Sequence, residues 1–153
     1  MVTLDRTLTY RLHLLHKLTD QVSQRAYLSG TGLSMSDGRC LTAVGSFAPL
    51  SVMDLAQKAN LTKGQASRAA QSLVDQLLVR KVASPTDGRG VVLTLTPKGR
   101  VVWRRAMEVV AQRNEEIFGV LSSAEQKQLS SILDRLIAQA RLGSSDGLEA
   151  TGE

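Results

Sequence analysis

Aromatic side chains are scarce in this chain: Trp103, Phe47, Phe118, Tyr10 and Tyr27 are the five present among 153 residues. A core must then come from the aliphatic residues that dominate the 42% hydrophobic content, which favours packed helices over a β-sandwich. Cysteine is rarer still. Cys40 alone cannot make an intrachain disulfide, so no disulfide framework holds the fold, and the chain suits a reducing compartment. No apolar run is long enough to span a bilayer, and Asp5, Arg6 and Arg11 interrupt any signal-peptide core. A cytoplasmic protein with no membrane partner is expected. Patterns for catalysis are also missing: there are no paired carboxylates, metal-spaced His/Cys cluster, phosphate-binding glycine loop or nucleophile elbow. His13 and His16 lie three apart, with no acidic partner expected on their face. We therefore expect neither an enzyme nor a cofactor or metal.

Positive charge is present, and unevenly placed. The formal charge is +5 with a pI near 9.8, which points toward a polyanionic partner. Between Thr62 and Arg105 stand nine cations (Lys63, Arg68, Arg80, Lys81, Arg89, Lys98, Arg100, Arg104, Arg105) against Asp75 and Asp87. That stretch holds the whole excess, and the remainder is nearly balanced.

Hydrophobic spacing divides the chain into elements. Leu4, Leu8, Leu12, Leu15, Leu18, Val22 and Ala26 put an apolar stripe along a first helix that Gly30-Thr31-Gly32 ends. Ser36 is placed to cap a second helix holding Leu41 and Val44, stopped before Pro49. Ser51-Val-Met-Asp54 and Thr62-Lys-Gly-Gln65 are two capping boxes in tandem, joined through Asn60, a candidate left-handed terminator. Ala66, Ala69, Ala70, Leu73 and Leu77 form the apolar face of the helix after Thr62. Two short helices so joined are a helix-turn-helix pattern.

Leu78 to Ser84 and Gly90 to Leu95 then read as a hairpin around the tip Pro85-Thr-Asp-Gly-Arg-Gly90. Thr96 caps a long helix with Pro97 at its first position, running to about Val120. Ser122-Ser-Ala-Glu125 opens a last helix that Gly143 closes. Beyond it, a tail rich in Ser, Gly and acids is expected to be mobile. The fold class is mainly α with a small β-hairpin wing.

The side of the Thr62 helix opposite its apolar stripe carries Gly64, Ser67, Arg68, Gln71 and Asp75. Arg68 suits guanine or phosphate, Gln71 suits adenine, and Ser67 and Thr62 suit phosphate. Lys63 and Gln65 stand at the helix start, whose partial positive charge favours phosphate. At the hairpin tip Asp87 can orient Arg89 for a narrow minor groove, with Lys81 and Arg80 flanking it. An ordinary solvated helix face and an exposed ion pair of little energetic weight would use the same residues. What favours DNA is the combination of tandem caps, a basic hairpin and a concentrated charge.

The segment Asp87-x-Arg89-x-x-x-x-x-Leu95-Thr96-x-x-Gly99 resembles the wing-to-helix signature of the MarR family. Leu50-Ser51-x-x-Asp54-Leu55-Ala56 followed by Ser67-Arg68 resembles that family's two reading helices, and the likeness spans roughly residues 5 to 142. Gly90 departs from it, standing where the family often has a second arginine. The resemblance implies one MarR-type domain over 1–142, with dimerisation helices at about 4–29 and 97–142, a winged helix-turn-helix at about 36–96, and a tail at 143–153. It implies a homodimer on a pseudo-palindromic operator in double-stranded DNA, with Ser67 and Arg68 in the major groove and Arg89, supported by Asp87, in the minor groove. Repression released by a small organic effector, such as an aromatic acid, phenolic or thioester, is that family's common mode.

For the effector the chain offers Arg11, His13, His16 and Arg25 on the first helix, Arg39 on the second and Trp103 on the fifth. Gly38 replaces a frequent bulky aromatic and is expected to open extra volume. The histidines also suit a plain helix surface and Trp103 a plain core. Two other readings stay open: a redox-sensing regulator using Cys40, whose pKa Arg39 would lower, and a winged-helix protein-interaction module without DNA. A buried, inert Cys40 is the bland alternative.

Overall fold

The structure, a computed structural model, describes residues 1–86, 88 and 90–149. Asp87 and Arg89, the expected tip of the wing, lie outside the described residues. The chain divides into two compact units, Met1–Arg113 and Asn114–Glu153, with the boundary inside one helix.

In the first unit a 3-10 turn at Leu4–Arg6 precedes α1 (Leu8–Thr31), whose N-terminus is capped by Thr7. Gly32, at φ 74°, ends α1 in the left-handed region, where glycine carries no Cβ penalty. The helix α2 (Met35–Phe47) starts at Ser34, whose hydroxyl accepts the Asp37 N–H, and not at Ser36 as expected. Ser36 falls inside the first turn, where its hydroxyl has no cap to make.

Ser51 caps α3 (Val52–Lys58), and Thr62 caps α4 (Lys63–Asp75) with both halves of the capping box formed. Between them Asn60 adopts φ 56°, and the Leu61 N–H reaches back to the Ala56 carbonyl, as a terminating left-handed residue permits.

Strands β1 (Val79–Ala83) and β2 (Val91–Leu95) pair antiparallel, Val79 opposite Leu95 and Ala83 opposite Val91. The Leu93 N–H also binds the Leu50 carbonyl, tying the hairpin base to the chain before α3. Then comes α5 (Pro97–Phe118).

The core lies among α2, α3, α4 and the hairpin base. Leu41, Val44, Leu55, Ala66, Leu73 and Leu93 are fully enclosed there. Burying a leucine side chain contributes roughly 1.5–3 kcal/mol, so these side chains anchor α4 in one orientation. Alanines at 66, 69 and 70 let α4 sit close against its neighbours. Leu77, expected on that apolar face, is instead 67% exposed at φ 62°. It is the pivot of a corner: its carbonyl accepts the Thr96 hydroxyl, and the next carbonyl, of Leu78, accepts the Thr96 N–H. Gly99 lies so close to Leu78 that no Cβ would fit.

In the second unit the end of α5 leads to Ser122, which together with Glu125 forms the expected reciprocal cap of α6 (Ser123–Glu149). The Ser122 N–H and hydroxyl hold the Glu125 carboxyl below its usual pKa. Gly143 does not close α6, which continues to Glu149. A glycine inside a helix costs about 1 kcal/mol, too little to stop a run of backbone hydrogen bonds. Within the single chain α6 leaves Ile132, Leu133, Leu136 and Ile137 exposed, as α1 leaves Leu8, Leu12, Leu15 and Leu18. Among the described residues no helix is long and apolar enough to cross a membrane.

Candidate nucleic-acid interface and ligand cleft

The buried alanines of α4 leave the other side of that helix free. Thr62, Lys63, Gly64, Gln65, Ser67, Arg68 and Gln71 are all exposed there. Thr62 and Gln65 spend part of their capacity on the cap, Thr62 Oγ1 accepting the Gln65 N–H at 3.2 Å and Gln65 Oε1 accepting the Thr62 N–H at 3.0 Å. Arg68 is exposed and forms no ion pair among the described residues. Gln71 is held at both ends: its amide Nε2 donates to Asp75 Oδ1 at 2.8 Å, and Lys81 Nζ, on β1, donates to its Oε1 at 3.2 Å. Sequence reasoning named Gln71 and Lys81 separately; the strand and the helix bring them together. The orientation of α4 rests on Asp37 of α2, whose Oδ2 accepts the Ser72 hydroxyl at 2.6 Å and the Gln76 amide at 3.3 Å.

The residues expected to meet an effector fare differently. His16 and Arg39 line one open cleft of about 330 Å³ with Thr42, Lys58, Ala59 and Asn60. Both bind the same carboxylate, Asp20, His16 Nε2 lying 3.1 Å from Oδ2 and Arg39 donating to Oδ1 at 3.0 Å. The expectation that the histidines lack an acidic partner is thus corrected: Asp20 is four residues after His16, on the same helix face, a spacing visible in the sequence.

Arg11, His13 and Arg25 are exposed on α1 and line no part of this cleft. Trp103 packs against the core, its indole N–H donating to the Thr42 carbonyl at 3.4 Å, and does not line the cleft. Gly38 opens no volume. The ring of Tyr27 lies against it, and an added Cβ would run into that ring. Sequence reasoning also missed Arg113, which joins α5 to α1 by donating to Ser23 Oγ at 3.0 Å and the Thr19 carbonyl at 3.2 Å. No local spacing marks a pair ninety residues apart.

Cys40 is fully enclosed, and burial, with the nearby Asp37 charge adding to it, pushes its thiol up to about 12. The expected lowering by Arg39 does not occur. A thiol that keeps its proton is a poor nucleophile, so Cys40 does not fit an oxidation sensor.

The helices α3 and α4, packed with α2 and followed by an antiparallel hairpin, define a winged helix-turn-helix protein. The MarR family model matches residues 31–90. The transcriptional repressor Rv2887 of Mycobacterium tuberculosis is 30% identical over 111 residues, 72% of this chain and 80% of that protein. Its solved structure with salicylic acid superposes with a TM-score of 0.69 at 27% identity, covering 88% of this chain and 99% of that one. Bordetella bronchiseptica BpsR, whose DNA binding is regulated by 6-hydroxynicotinic acid, shares the fold with a TM-score of 0.78 at 19% identity, covering 89% and 96%. This chain belongs to the MarR family of transcriptional regulators.

Proposed function

We propose that this chain is a non-enzymatic, ligand-responsive repressor that binds a pseudo-palindromic operator as a homodimer. One observation carries the reading. The capped start of α4 presents Thr62, Lys63, Ser67, Arg68 and Gln71 on a single exposed face, while Ala66, Ala69, Ala70 and Leu73 fasten the opposite face to the core. A helix so presented fits a major groove about 12 Å wide. Its N–H groups and Lys63 attract phosphate, and Arg68 and Gln71 supply donors and an acceptor for base edges. Lys81 adds charge beside it, and the reading assigns the minor groove to Arg89, which lies between β1 and β2 in the sequence.

The effector is an aromatic carboxylate. Support comes from Rv2887, solved with salicylic acid, and from the cleft that gathers Arg39, His16 and Lys58. A carboxylate entering there competes with Asp20 for Arg39 and loosens the link between α1 and α2. That link, through Asp37 on α2, borders the support of α4.

The test is fluorescence anisotropy with duplex from the gene's own upstream region across a salt series. Binding that weakens steeply with salt is expected, and Arg68→Ala should weaken it about tenfold or more. Salicylate or 6-hydroxynicotinate should raise the melting temperature and release the duplex. Affinity that is flat with salt and indifferent to Arg68 overturns the DNA reading; no shift with any aromatic acid overturns the effector reading.

A further inference from the structure

We infer that Asp75 and Lys81 together form an orientation lock on Gln71, so that its amide reads adenine in one direction only. The inference rests on the DNA-binding reading above and assigns Asp75, which that reading leaves idle, as a positioning residue.

A glutamine amide is nearly symmetric in shape, and turning it over exchanges a donor for an acceptor. A free Gln71 would therefore present either pattern to a base edge, and its discrimination would be an average of the two. Here the two ends meet partners of opposite character. The Nε2 group donates to the Asp75 carboxylate and Oε1 accepts from the Lys81 ammonium. Turning the amide over would set its oxygen against a carboxylate and its NH2 against an ammonium. Both contacts would become repulsive, so one orientation persists.

The lock leaves the reading capacity intact. An amide has two N–H donors and two lone pairs on its oxygen, and the lock uses one of each. One donor and one lone pair remain, the pair that a bidentate contact with adenine N7 and N6 requires. The placement of Asp75 supports a specific role: it stands at the C-terminal end of α4, where the helix macrodipole disfavours an anion. Lys81 comes from β1, so the hairpin strand also sets the chemistry that the helix displays.

The experiment is selection from a randomised duplex library, followed by anisotropy on the selected duplex and its single-base changes. Wild type, Gln71→Ala, Asp75→Asn, Lys81→Met and the double variant are compared. Asparagine offers either a donor or an acceptor to the amide, and methionine keeps the lysine stem without its charge. All three positions concerned are exposed, and circular dichroism checks the fold.

Wild type should prefer adenine at one position per half-site by roughly tenfold, a preference that Gln71→Ala removes. Each single variant should weaken that preference and the double variant should bring it below about threefold, with the other positions unchanged. Lys81→Met should also lower the salt slope by about one. Loss of all selectivity in the variants, or an adenine preference that survives the double variant or Gln71→Ala, overturns the inference while the DNA reading stands. Failure of wild type to select any sequence removes both.

Discussion

Glycine at position 38 is set by a neighbour eleven residues earlier. The Tyr27 ring occupies the space a side chain would need, and Tyr27 is itself buried with Ala106 and Val109. Gly38→Ala should therefore cost about 1–3 kcal/mol, as overpacking does, read as a lower urea midpoint. Cys40 makes a different kind of prediction. Burial keeps its thiol protonated to about 12, while an unfolded thiol ionises near 9.0. Between those values the folded chain binds the extra proton, so this part of the stability is complete below pH 9 and is lost as pH rises. Burial pushes the Tyr27 hydroxyl up as well and adds to the trend at higher pH. The urea midpoint should fall between pH 8 and pH 10.5, and less steeply in Cys40→Ala. In the folded protein at pH 8 the thiol should ignore Ellman's reagent until urea is added.

Among the elements, α4 and its two ends decide what the molecule presents. The cap at Thr62 holds two N–H groups that would otherwise lack partners, so Thr62→Ala should cost about 1 kcal/mol. The other end carries an avoidable strain. Leu77 sits at φ 62° with its side chain in solvent, a conformation that costs a non-glycine residue roughly 1–2 kcal/mol. Leu77→Gly loses no core contact and keeps the carbonyl that Thr96 binds. Part of the relief is offset by glycine's greater freedom when unfolded, leaving a net gain of about 0.5–1 kcal/mol in urea unfolding.

The same helix shows what was legible beforehand. Its start followed from Thr62 and Gln65, and its packed face from the alanines and Leu73. Leu77 continued that apolar series, yet the chain turns there to bring β1 alongside, and periodicity carries no sign of a corner. Ser34 and Ser36 both qualify by residue type to cap the second helix, and the folded chain uses Ser34.

For the molecule as a whole the informative feature is apolar surface without a cover. In the single chain α1 exposes Leu8, Leu12, Leu15 and Leu18, and α6 exposes Ile132, Leu133, Leu136 and Ile137. An apolar stripe left exposed along a helix marks an interface. Light scattering after size exclusion should give twice the 16.5 kDa chain mass at micromolar concentration. Leu133→Glu with Leu136→Glu should shift that mass to the monomer and lower operator affinity at least tenfold, since two linked reading heads bind with a high effective concentration.

The features settled by the order of residues alone are those closed within three or four positions: the caps at Ser51, Thr62, Thr96 and Ser122, the terminator at Asn60, and the alternation of helix and hairpin. Each is a hydrogen bond or a dihedral preference between near neighbours, so its strength does not wait for the rest of the chain. Folding in three dimensions chose the partners that come from afar: the Tyr27 ring against Gly38, Arg39 on Asp20, Arg113 on Ser23, and the Lys81 ammonium on Gln71. Those contacts depend on how packed helices set their faces against each other, and core volume, not local spacing, determines that.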